Sequence, residues 1–369
     1  MRILHFADVH LDRPFVGLPP HAARRRREQL VAAFRRCLDV ARERAVDLVT
    51  IGGDLWEEEH VRADTRKSVA YALEQLGIPV LIVCGNHDPL LPGGSYLRTA
   101  WPGNVTLASR RTLTEHRFDG VSLWAVSWGG GDLTERIIEH ADLPQDGRTH
   151  LLLVHGTSLA AAFAVDDTSY MPFDPAVVAR AGFALCLAGH IHVASHIERV
   201  LYPGSPEPLG WGEEGRHCVA VVDTRDMTVE LVDVSSTRYD RLEIDCTGCR
   251  SSAEAEDRAA RVLRDEGGEG LYRRVLLVGK VDPDCEISAT RISQLHEHRY
   301  AGLVVEDRTE PVLDAARRAE RRSLDGLFAR KLQERLESTQ DESERRVLEL
   351  ALQAGLRAVD GREVILRVD

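Results

Sequence analysis

No stretch of the chain approaches the roughly 18 consecutive apolar residues of a membrane-crossing helix, so no membrane association by a spanning helix is expected. The opening run MRILHF meets Asp8 too soon to form the core of a secretory signal, and a cytoplasmic location is the expectation. Positive charge is also short. A formal net charge of −12 argues against a protein that grips nucleic acid by overall charge, leaving local patches or metal ions for any such role. The seven cysteines (Cys37, Cys84, Cys186, Cys218, Cys246, Cys249, Cys285) are odd in number and scattered, mostly inside apolar runs. They suit reduced core thiols better than a disulfide framework. Only Cys246 and Cys249 make a CxxC, and without a second pair or a flanking histidine it reads as a surface turn after the strand Leu242 to Ile244. Internal repeats and low-complexity linkers are missing as well.

What is present is a chain of 369 residues with 43% apolar content, long enough for two or three domains. Up to about residue 235, short apolar runs alternate with helical patterns, the signature of an α/β sheet. Strands are expected at Arg2 to Ala7, Asp47 to Ile51, Pro79 to Cys84, Val121 to Val126, His150 to Val154, Phe183 to Leu187, His217 to Asp223 and Thr228 to Val234. Arg24 to Arg44 and Arg62 to Leu76 carry apolar residues at helical spacing. The expected domains are 1–238, then a small α/β unit at 239–309, then a charged helical segment at 310–369. In that last segment Leu324, Leu327, Phe328, Leu332 and Leu336 form a thin apolar stripe that needs a covering surface.

Five expected strands end in polar clusters: Asp8-Val9-His10, Gly52-Gly53-Asp54, Gly85-Asn86-His87-Asp88, His155-Gly156 and Gly189-His190-Ile191-His192. Strand ends of an α/β sheet face one crevice, so the clusters should converge. Asp8 and His10, like His190 and His192, sit two apart, which in extended chain aims both side chains to one side. Two carboxylates, one amide and four imidazoles are too many for one divalent ion. They suit two ions sharing Asp54, with Asp8, His10 and His192 on one and Asn86, His155 and His190 on the other. Two divalent ions against two carboxylates leave the site positive, which attracts a phosphate oxyanion, and such a pair clamps the oxygens of an in-line displacement. His87 is placed to stabilise the phosphorus or protonate the leaving oxygen, with Asp88 to orient it. Oxygen and nitrogen donors favour Mn²⁺ or Fe²⁺, with Zn²⁺ also compatible. A lone histidine after a strand is more often structural than a ligand; five clusters in series reverse that weighting.

The order DVH, GGD, GNHD, VHG, GHIH resembles the calcineurin-like metallophosphoesterases, and the wording ILHFADVHLDRPF, GGDLWEEE, LAGHIHVASHI and LYPGSPEPLGWGEEG resembles the SbcD-type DNA repair nucleases, including their YhaO-like bacterial branch. The resemblance implies a four-layer α/β fold, two mixed sheets flanked by helices, followed by a capping domain and a helical segment that docks on a coiled-coil SbcC-type ATPase. It also implies a homodimer, a DNA substrate and the ligand assignment above. One departure is Glu57, where many relatives carry His, which bears on exonuclease against endonuclease preference. The runs Arg24 to Arg27, Arg35-Arg36 and Arg110-Arg111 read as solvated faces or as DNA phosphate contacts. Trp56 and Trp211, beside site loops, are candidate base-stacking positions. A nucleotide or small-molecule phosphodiesterase is the alternative function, since it needs the five motifs and not residues 240–369.

Overall fold

The central strands are buried on both faces, and this decides the layering. The structure is a computed structural model that describes residues 1–129, 137–160, 170–264, 267–283, 285–312, 315–359 and 361. The chain forms two compact units, Met1–Asp240 and Arg241–Asp369. In the first, the strands are β1 (Arg2–Phe6), β2 (Leu48–Gly52), β3 (Val80–Val83), β4 (Val105–Leu107), β5 (Thr114–Phe118) and β6 (Val121–Ala125). They continue with β7 (Thr149–His155), β8 (Leu185–Gly189), β9 (Ser195–Ile197), β10 (Val200–Tyr202), β11 (Cys218–Asp223) and β12 (Thr228–Asp233).

Two mixed six-stranded sheets result, ordered β12-β11-β1-β2-β3-β4 and β5-β6-β7-β8-β10-β9. Alternate residues of β1 serve different cores. Ile3 joins Leu48, Leu81, Leu151 and Leu187 between the sheets, whereas Leu4 and Phe6 face the helices α1 (Pro20–Glu43) and α2 (Ala63–Leu76). Strands covered on both sides read as unbroken apolar runs, which made them visible in the sequence. Helix α1 starts on Pro20, whose missing N–H is no loss there, and buries Leu30, Phe34, Cys37, Leu38 and Ala41 on one face. A short α3 (Ser95–Arg98) follows β3, and α4 (Pro175–Arg180) covers the outer face of the second sheet with Val177 and Val178. The layers are helix, sheet, sheet, helix.

The strands β4, β5, β9 and β10 were not expected. Three of them have only three residues, and β5 (TEHRF) is polar, so none carries a run long enough to show a period.

The second unit continues from β13 (Arg238–Asp245) into a three-stranded sheet, β13-β14-β16, with β14 (Gly268–Val278) parallel to β16 (Tyr300–Asp307). Helices α5 (Ser252–Leu263) and α6 (Ala289–His296) pack Ala255, Ala259, Leu263 and Ile292 on Ile244, Val275 and Leu277. The pair β15 (Lys280–Val281) and β17 (Glu310–Pro311) leads to α7 (Ala315–Ala319), α8 (Leu324–Ser338) and α9 (Glu342–Val359). Of the expected stripe, Phe328, Leu332 and Leu336 pack near Leu352 and Leu356, whereas Leu324 and Leu327 are exposed. Residues 265–266 and 284 of the expected small α/β unit and 313–314, 360 and 362–369 of the expected C-terminal segment lie outside the described residues.

The CxxC needs correction. Cys246 to Cys249 does form a turn, Cys249 N–H donating to Cys246 O at 3.0 Å, but both side chains are fully buried in the core. Among the described residues no helix is long and apolar enough to cross a membrane.

Candidate metal centre

The C-terminal ends of β1, β2 and β3 in one sheet meet those of β7 and β8 in the other, and each brings one of the five polar clusters. The meeting requires absent side chains. A Cβ on Gly85 would lie 2.1 Å from Asp54 Oδ1, and one on Gly189 would lie 2.1 Å from Gly52 O. The backbone is left-handed at Asp8 (φ 56°), His10 (52°), Asp54 (51°) and His190 (100°). Each such residue costs about 1–3 kcal/mol, and the loops are locked by Asp8 N–H donating to Gly53 O (3.0 Å), His10 N–H to Asp54 O (2.9 Å) and Leu11 N–H to Leu55 O (3.0 Å). Asp8 and His10 therefore share a side through a strained turn; the extended geometry expected for them is not present.

The seven predicted donors lie together. Asp54 Oδ2 is 3.6 Å from His10 Nε2 and 3.4 Å from His155 Nε2. Asp8 Oδ1 is 3.9 Å from His192 Nε2, and His10 Nε2 is 3.2 Å from His192 Nε2. On the other side, Asn86 Oδ1 is 2.8 Å from His155 Nε2 and 3.1 Å from His190 Nδ1. The sets Asp8, His10, His192 and Asp8, Asp54, His155 each bring three ligand atoms close enough to hold one ion.

The outward nitrogens decide what faces inward. His155 Nδ1 lies 2.8 Å from the carbonyl of Gly52, which can only accept, so that nitrogen carries the proton. His10 Nδ1 meets Glu57 Oε1 at 3.0 Å, and His192 Nδ1 meets Glu213 Oε1 at 2.8 Å. Burial disfavours both glutamates' charge, but their histidine partners hold both carboxyls below the usual range, so they accept. In neutral rings the Nε2 lone pairs of His10, His155 and His192 then point at one another, at Asp54 and at Asn86 Oδ1. Such a set fits shared cations, with the outward partners orienting the rings as carboxylates and carbonyls do for metal-bound histidines. Burial pushes Asp8 up and His10 down; it opposes the charge of Asp54 too, but His155 and His10 hold that carboxyl well below its ordinary value. His155 is carried to about 9 against its burial by Asp54.

His87 is exposed to solvent, its backbone N–H donating to Asp54 Oδ1 at 2.9 Å and its Nδ1 held at 2.8 Å by Glu57 Oε2, which raises its pKa. Asp88 does not orient it. That carboxylate is fully buried and accepts from the N–H groups of Gly85, Asp54 and Leu55 and from Tyr96 Oη at 2.6–3.0 Å, so it fixes the Asp54 loop. Glu57, Glu213 and Arg13, which pairs with Glu57 at 3.0 Å, were missed as partners; the position of Glu57 three residues past Asp54 was the available signal.

Trp56 is fully buried, its ring 4.6 Å from Tyr96 and stacked 5.9 Å from Trp101, so it offers no face to a base. Trp211 is half-buried with its ring edge-to-face 5.0 Å from Tyr239. Of the arginine runs, Arg26 is buried against Glu207 and Thr237, and Arg36 bonds Val234 O and Glu207, so these two are not free for phosphate.

The family model for calcineurin-like phosphoesterases matches residues 1–194. The uncharacterized metallophosphoesterase YhaO of Bacillus subtilis (strain 168) is 28% identical, over 75% of this chain and 71% of its own. The DNA double-strand break repair protein Mre11 of Methanopyrus kandleri is 29% identical over 59% of this chain and 52% of its own, and that of Haloferax volcanii 27% over 63% and 51%. The chain thus spans about half the length of both Mre11 proteins. Among solved structures, TT1561 of Thermus thermophilus is similar with a TM-score of 0.40 at 15% identity, covering 63% of this chain and 98% of that one.

Proposed function

The chain belongs to the calcineurin-like phosphoesterase family, and from that premise we propose that it is a two-metal DNA nuclease hydrolysing phosphodiester bonds. Asp8, His10, Asp54 and His192 would hold one divalent ion, and Asp54, Asn86, His155 and His190 the other. The observation that carries this reading is Asp54, one oxygen of which faces a histidine of each group at 3.6 and 3.4 Å. Ions bound there supply charge to the phosphoryl oxygens and acidity to a nucleophilic water. His87, steadied by Glu57, donates the proton to the leaving oxygen. The sulfur-free donor set favours Mn²⁺, with Fe²⁺ and Zn²⁺ also compatible.

The DNA substrate is supported by the names of the two Mre11 relatives and by the SbcD-type motifs. The resemblance of the motifs to the SbcD type is the ground for reading the protein as a homodimer that acts with an SbcC-like coiled-coil ATPase in DNA end processing or defence. The second reading is a nucleotide phosphodiesterase. It is favoured by the cleft over the centre, about 390 Å³, which suits one nucleotide better than a duplex.

The test is cleavage of labelled duplex and single-stranded DNA with Mn²⁺, Mg²⁺ or EDTA, beside bis(p-nitrophenyl) phosphate. Mn²⁺-dependent DNA cleavage lost in EDTA and in Asp54→Asn is expected. Hydrolysis of the ester with intact DNA would move the substrate to nucleotides, and chelator-resistant cleavage would overturn the two-metal reading.

A further inference from the structure

One wall of the cleft is built by residues outside the proposed ligand set. Tyr170, half-buried, sets its ring 5.2 Å from that of His190 and is backed by the Trp128 ring at 5.4 Å. Ile191 and Val193 add apolar surface beside it. Thr157 lines the same cleft and is 1% exposed. Its backbone is committed on both sides, N–H donating to Tyr170 O and C=O accepting from Phe173 N–H, both at 3.0 Å. Its hydroxyl has no hydrogen-bond partner among the described residues. Among the described residues the neighbouring Ser158 hydroxyl also has no hydrogen-bond partner, but Ser158 is not among the residues that line the cleft. A buried, unpartnered hydroxyl is destabilising where valine would fit, so its place on the wall of a reaction cleft calls for a ligand atom to complete it.

Resting on the phosphodiesterase reading above, we propose that Thr157 and Tyr170 form the subsite for the single nucleotide whose phosphate is attacked. The Thr157 hydroxyl donates to a phosphoryl oxygen. The Tyr170 ring stacks on the base, a contact any base can make because each has a π face. The fully buried Trp56 does not serve this purpose, and the ring beside His190 does.

The experiment is calorimetric binding of thymidine 5′-monophosphate and of methyl phosphate to the Mn²⁺-loaded protein, which needs no turnover. Wild type should bind the nucleotide more tightly than methyl phosphate. Tyr170→Leu should weaken the nucleotide about tenfold and leave methyl phosphate unchanged, with Tyr170→Phe behaving as wild type. Thr157→Val should weaken both probes about tenfold, with Thr157→Ser restoring them. Wild type binding both probes equally, or neither, overturns the subsite, as do Leu and Val variants that bind both as wild type does. Intact nucleotide selectivity in a protein that cleaves no DNA would strike the nuclease reading and leave the subsite standing.

Discussion

Glu57 Oε2 lies 2.8 Å from Nδ1 of His87, and the other oxygen of the same carboxylate lies 3.0 Å from Nδ1 of His10. One side chain thus steadies the proposed proton donor and a proposed metal ligand together. Arg13 completes the cluster by holding Oε1 at 3.0 Å. The bond from Glu57, ahead of the opposing effect of burial, raises the His87 pKa above its ordinary value and so favours the protonated ring.

Glu57→Gln keeps the shape and removes the charge. It should lower kcat on DNA or alkyl phosphodiesters by roughly 10–100-fold and lower kcat on p-nitrophenyl esters less, because that leaving group needs no proton. In the variant the fall of activity at alkaline pH should begin at lower pH, since His87 loses its stabilising partner. A leaving-group series measured across pH checks both. Equal loss on all leaving groups would mean that Glu57 acts through His10 alone.

Gly85→Ala tests how closely the loops after β2 and β3, neighbours in one sheet, must approach. The added methyl would sit 2.1 Å from Asp54 Oδ1 and 2.7 Å from Asp54 N, a backbone atom that cannot swing away. A cost of about 1–3 kcal/mol to folding and loss of bound metal are expected. Urea unfolding and metal analysis of the dialysed protein measure these; an alanine variant with wild-type metal content would show that the Asp54 loop is free to move.

Much of this centre was legible because each polar cluster directly follows an apolar run, and a strand buried on both faces announces itself by composition. The partners were not. Glu57 reaches His87 from 30 residues away and Glu213 reaches His192 from 21, and such pairs leave no periodic trace. Trp56 misled because sequence adjacency to Asp54 does not give direction: Trp56 turns away onto Tyr96 and Trp101. Arg26 misled in the opposite sense, its neighbours facing solvent while its own position falls on the buried face of α1.

Arg26 carries the next prediction. Its guanidinium is fully buried between Glu207 (3.4 Å) and Thr237 (2.8 Å), with the Phe15 ring 5.3 Å away. Arg26→Met should destabilise the protein by about 3–5 kcal/mol, because among the described residues Glu207 is left with the longer Arg36 contact at 3.5 Å as its counter-ion. Adding Glu207→Gln should recover part of that loss. Chemical denaturation of the two single variants and the double variant gives the coupling, and strict additivity would rule out the ion pair as the source.

His5 supplies a pH dependence that is separate from the proposed metal ligands. It lies in the core between the sheets, with Nδ1 3.0 Å from Thr50 Oγ1 and Nε2 3.2 Å from the Ala188 carbonyl of the opposite sheet. Burial lowers its pKa from 6.5 to about 4, against the pull of those hydrogen bonds. Above pH 6.5 the ring is neutral folded and unfolded, and its packing counts in full. As pH falls from about 6.5 to about 4, the unfolded chain takes up a proton that the folded protein refuses, and stability drops by about 3 kcal/mol in total. His5→Gln keeps a hydrogen-bonding side chain and removes the titration. The difference in unfolding free energy between wild type and His5→Gln, both freed of metal by EDTA, should therefore be flat above pH 6.5 and decline in wild type's disfavour below it. A difference that stays constant down to pH 4 would mean that the buried ring accepts the proton within the fold.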